Sequence, residues 1–139
     1  MAQQSFGSSG QKPAYNARNI AVAVPQAGNT VLLTIPCHGL TRILVQVDVT
    51  VQALDAFIIQ VRSTNVASLA TLYSVAGDYT SPKGLLVGAS GDLTTIAAAA
   101  SGWFIMDVDG LYEVVVSASS ANVAGSTVDA YCGGGTLNG

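Results

Sequence analysis

The stretch from Arg42 to Gln52, RILVQVDVTVQ, alternates apolar and polar residues with Leu44 as its one break, and no other feature limits the fold so sharply. Successive side chains of a strand point to opposite faces, so Ile43, Val45, Val47, Val49 and Val51 share one face while Leu44, Gln46, Asp48, Thr50 and Gln52 share the other. A helix would scatter the five β-branched residues around its circumference instead of gathering them in a stripe. The stretch therefore predicts a strand with one covered and one wet face, as in antiparallel sheets.

The same period recurs along the chain. NIAVAV sets Ile20, Val22 and Val24 on one side, TVLLTI sets Val31, Leu33 and Ile35, and AFIIQVR sets Phe57, Ile59 and Val61. ASLATLYSV reads as a further strand and AGDYTSPKG as a loop. LLVG and LTTIA read as two short strands around the turn ASGD, although the four alanines from Ala97 to Ala100 fit the start of a helical turn equally well. In GWFIMDVDGLYEVVVSAS the pair Asp109-Gly110 predicts a type I′ hairpin. Met106 then opposes Glu113 and Phe104 opposes Val115, with Trp103 and Ile105 on the other face. Both faces of that hairpin are largely apolar, so it lies either at the centre of a sandwich or at a subunit interface, with Phe104 and Met106 as interface candidates.

Roughly eight to ten short strands at intervals of about ten residues indicate an all-β fold, an antiparallel β-sandwich that is jelly-roll-like. A length of 139 residues suits one domain. Residues 1–18 lack the period-two pattern and are rich in Gln, Ser and Gly, so they read as an extended or flexible N-terminal arm before a single sandwich domain at 19–139. Phe6 and Tyr15 are the rings such an arm would bury against a neighbouring subunit.

Charge narrows the partners. Only 9% of residues are charged, against about 25% in an ordinary soluble domain. Five Lys and Arg against eight Asp and Glu leave no cationic surface for phosphates, so nucleic acid is not expected as a direct partner. No window is long and apolar enough for a spanning helix, so no membrane is expected, and the start shows neither the basic nor the apolar region of a secretory signal.

Reactive side chains are few. Cys37 and His38 are adjacent, which on an extended segment turns them to opposite faces and keeps them from acting as nucleophile and base. One His and two distant Cys, Cys37 and Cys132, make no zinc set; both thiols are expected reduced and buried. Asp107 and Asp109 could pass for an acid pair, but the turn accounts for Asp109. CGGG at 132–135 is no phosphate loop and reads as a flexible end. No catalytic residue, metal or cofactor is expected. Trp103, Tyr73, Tyr79 and Tyr131 are the only rings for a sugar platform, and Trp103 is expected in the core.

The run GWFIMDVDGLYEVVVSASSANVAGSTVDAYCGGG, with its aromatic strand, Asp-Gly turn, valine strand and closing glycines, resembles the ends of small all-β structural proteins of tailed bacteriophages, among them capsid decoration or cement proteins. The resemblance implies a non-enzymatic virion protein, made in the host cytoplasm, that binds the major capsid protein and itself at the capsid surface, as a homo-oligomer and expectedly a trimer. Low charge fits a subunit that spends its surface on neighbours. The alternative is a carbohydrate- or receptor-binding module of a phage tail or fibre, and a small jelly-roll hydrolase is a third class.

Overall fold

The computed structural model describes residues 15–73, 86–89 and 100–135. Among the described residues nine strands follow one another: β1 (Tyr15–Val24), β2 (Thr30–Pro36), β3 (Arg42–Val49), β4 (Leu54–Arg62), β5 (Ala70–Tyr73), β6 (Leu86–Ala89), β7 (Ala100–Asp107), β8 (Glu113–Ser120) and β9 (Ser126–Gly135). They form a five-stranded sheet in the order β1-β9-β3-β7-β6 and a four-stranded sheet in the order β2-β8-β4-β5. Every pairing is antiparallel. The expected antiparallel β-sandwich is what the chain forms. The pairs nest, β1 with β9, β2 with β8, β3 with β7 and β4 with β5, as if one long hairpin had been folded over into two layers.

The core lies between the sheets. Ile43, Val45, Val47 and Val49 of β3 are each 1% exposed, as the alternation predicts, whereas Val51, expected with them, lies past the end of β3 and is 52% exposed. Phe57 of β4 meets Phe104 of β7 edge to face, with ring centroids 6.2 Å apart, and so joins one sheet to the other. Strand β8 is central in its sheet; its outward Val115, Ser117 and Ser119 are buried as well, since they lie low between the neighbouring β2 and β4.

Five expectations need correction. Tyr15 to Arg18, read as arm, pair with Gly134 to Tyr131 of β9, so the sheet reaches back to Tyr15; residues 1–14, with Phe6, lie outside the described residues. Strand β1 carries one extra residue between Asn19 and Val22, with Ala21 at φ 56, which turns Ile20 outward. Strand β2 has a matching irregularity between Val31 and Leu33, so Val31 faces solvent while Leu32 and Leu33 are both buried. Asp109-Gly110 makes no hairpin: β7 and β8 belong to different sheets, and only Gly110, at φ 88, has the positive φ that a type I′ turn demands of both residues. Gly133 to Gly135 are no loose end but the last residues of β9: all three pair with β3, and Gly133 and Gly134 pair with β1 as well. The segments AGDYTSPKG and LTTIA, and Ala97 to Ala99, lie outside the described residues, while Ala100 opens β7.

Candidate binding surfaces

The sandwich has two ends and two outer faces. Of the residues expected at an interface, Tyr15 is half-buried and packs against the core. Phe104 and Met106 are 1% and 0% exposed. They cannot meet a partner, because alternation along β7 sends them to the core and leaves Trp103 and Ile105, both half-buried, on the outer face. Trp103 is thus not the core residue its size suggested.

Cys37, His38 and Asp109 gather at one end of the sandwich around a cleft of about 430 Å3 that Ser63 and Tyr112 also line. His38 is exposed and Cys37 buried. Burial, the nearby Glu113 carboxylate and, in opposition, a backbone hydrogen bond at Val114 leave the Cys37 thiol pushed up to about 11. Cys132, raised by burial and by Cys37, stands at about 12. Both thiols are free and protonated at neutral pH, hence poor nucleophiles. Arg62 organises this end: its Nε and Nη2 donate to Glu113 Oε2 at 2.9 and 2.6 Å, its Nη1 donates to the Ala67 carbonyl, and its guanidinium lies 5.9 Å from the Tyr112 ring centroid. Asp107 is paired with Arg42 at 2.9 Å, directly across from it in the sheet. Among the described residues no three of His, Cys, Asp and Glu are grouped to hold a metal.

The opposite end has another character. Among the described residues three connections stand there, Pro25 to Asn29, Thr50 to Ala53 and Ala121 to Gly125, and none of the three contains an ionisable side chain. Backbone hydrogen bonds tie the three together, from Ser120 N to Pro25 O and from Ala121 N to Ala53 O. Asn122 Oδ1 accepts from Ala124 N and holds the last loop in a tight turn. On this fixed frame Val51 is 52% and Val123 84% exposed.

The outer face of the five-stranded sheet is polar and aromatic. Register places Arg18, Tyr131, Gln46 and Trp103 in one row across β1, β9, β3 and β7, and Asn16, Gly133, Leu44 and Ile105 in the next. Gly133 carries no side chain, and beside Tyr131 the face sinks into a hollow of about 390 Å3 lined by Asn16, Arg18 and Tyr131. On the other side of that row Asp48 stands directly opposite Asp129. Gln46 Nε2 and Ser101 Oγ both donate to Asp48 Oδ1, at 3.1 and 2.5 Å, while Asp129 Oδ1 accepts from Ala21 N at 2.7 Å and so braces the kink in β1. Alternation would have placed Gln46 and Asp48 on this face; nothing local in the sequence placed Tyr131 and Trp103 in the same row, since the strand order decides it.

No family model and no curated protein matches the chain. Among solved structures, the SPBc2 prophage-derived protein YomS is similar in fold, with a TM-score of 0.53 and 8% sequence identity over 86% of this chain and 93% of that one. The likeness is one of architecture.

Proposed function

We propose that this protein is a non-enzymatic structural component of a phage virion, one that docks onto the major capsid protein and reinforces the shell as a decoration protein, assembled as a trimer. The observation that carries the reading is the set of three described loops at one end, which hold no ionisable group and from which Val51 and Val123 stand out. A rigid apolar surface of this kind loses little order when it is covered, and its burial is favoured by roughly 25 cal/mol per Å2 of apolar area. The nested pairing, which we read as a jelly roll, is an architecture shared by viral capsid and lectin domains. The prophage source of YomS, whose fold is similar, agrees with a phage setting, as does a chain with so few charges.

Cosedimentation with capsids of the same phage tests the reading, together with the melting temperature of the decorated shells. The wild-type protein should pellet with capsids and raise their melting point. Val123→Asp combined with Val51→Asp should weaken binding by about 2–4 kcal/mol, the loss of the apolar area two exposed valines would bury on docking plus the desolvation of two carboxylates, without altering the monomer's own stability. Light scattering reads the oligomeric state. A wild-type protein that stays in the supernatant at saturating capsid would end the proposal.

A further inference from the structure

We propose that the outer face of the five-stranded sheet binds a neutral oligosaccharide, with one pyranose in the hollow beside Tyr131 and the glycan running across β3 towards Trp103. This function is separate from capsid docking and uses a different surface.

The hollow comes first. Asn16 pairs with Gly133 and Arg18 with Tyr131, so two rows of two residues enclose a depression whose floor is the bare backbone at Gly133. A Cβ built on Gly133 would meet nothing within 4 Å. The resulting volume, about 390 Å3, lies in the range of small-molecule sites. One wall is the Tyr131 ring, which offers an aromatic face to the apolar face of a sugar, and the rim carries the Asn16 amide and the Arg18 guanidinium as donors to ring and hydroxyl oxygens.

The row then continues. Gln46 follows Tyr131 on β3 and Trp103 follows Gln46 on β7. Adjacent strands lie about 4.8 Å apart, so the two aromatic positions are separated by about 10 Å, room for linked pyranose rings laid side by side across the strands. In the adjoining row, on the side away from the hollow, stands a prepared polar group: Asp48 is held by Gln46 and Ser101, which fixes its carboxylate as an acceptor for sugar hydroxyls. Asp48 also faces Asp129 directly across the pair, and like charges so placed cost a sheet stability. A face that served only to be wet would be better off with Thr or Ser at either position. Two carboxylates against one Arg disfavour an anionic polysaccharide, and the donors and acceptors together suit a neutral one. All of these groups stand on strands, which hold a site more firmly than loops do.

Trp103 is the chain's only tryptophan, so its fluorescence reports on the site directly. The full-length protein should be titrated with hexasaccharides of β-1,4-glucose, α-1,4-glucose and β-1,4-mannose, and screened on an array of neutral glycans. At least one glycan should give a saturable change with a dissociation constant of about 1 mM or tighter. Gly133→Leu extends a side chain into the hollow from a position where a Cβ meets nothing within 4 Å, and Tyr131→Ala removes its wall; each should weaken that binding about tenfold or more while leaving the melting curve in place. The proposal is overturned by a wild-type protein with no saturable response to any glycan, or by binding that survives both substitutions, which would put the sugar elsewhere, as in the cleft beside His38. Loss of capsid binding in Gly133→Leu without any glycan response would equally overturn it and give the face to a protein partner.

Discussion

Gly134 and Gly133 are neighbours in one strand, yet they answer to different constraints. A Cβ on Gly134 would lie 3.0 Å from Leu40 Cδ1 and 3.3 Å from Ile43 Cγ2, whereas Gly133 faces open space. Gly134→Val should therefore cost about 1–3 kcal/mol by overpacking, and Gly133→Ala should stay close to wild type; urea unfolding of the two variants separates them. The cysteines bear on pH. Their folded-state values, about 11 and about 12, exceed the ordinary 9.0, so above pH 9 the unfolded chain releases protons that the folded chain keeps. Stability from the buried thiols is thus complete below pH 9 and declines as pH rises towards 11 and 12. Under reducing conditions a Cys37→Ala, Cys132→Ala variant should show a shallower alkaline decline than wild type. Burial of the cysteines was legible from residue type alone. The glycine tract was not, because what excludes a side chain at Gly134 is Leu40, a residue distant in sequence that the fold lays over it.

At the scale of the strand, legibility followed regularity. Strand β3 pairs without interruption on both sides, and its inward residues were readable one by one. Val45→Asp should abolish folding by burying an unpaired charge, while Leu44→Asp, one position along at a site 42% exposed, should leave the melting temperature within a few degrees; circular dichroism during heating tells them apart. Strands β1 and β2 defeated the same reading, because one extra residue exchanges the faces of everything beyond it, and neither AVAV nor VLL announces where that residue sits. The Asp-Gly pair misled for a related reason: a tight turn fixes a change of direction, but whether the strands after it share a sheet depends on partners supplied by β2 and β4. Arg62 joins β4, β8 and the loop after β4. Arg62→Met leaves Glu113, 14% exposed, without its two charge-assisted hydrogen bonds, and should lower stability by about 2 kcal/mol in urea titrations.

Across the whole molecule, the first described strand closes against the last. Pairings between β1 and β9 join residues near opposite ends of the chain, so the loop-closure entropy is met late and folding belongs to the slow class of non-local β topologies. Removing residues 2–14 leaves every described strand pair intact and should not change the melting temperature. Removing residues 2–18 strips four β1 pairings and the Tyr15 ring from the core, and should lower it markedly; scanning calorimetry of both truncations locates where the sandwich begins. The pairing of Tyr15 with Gly134 also has a practical side. Both outer limits of the sheet lie at the pole with the His38 cleft, opposite the three uncharged loops. Cargo fused ahead of β1 or behind β9 would therefore leave the particle pointing outward if the uncharged loops grip the shell, and the same scaffold could carry two different guests side by side, each tethered to one of two adjacent strands.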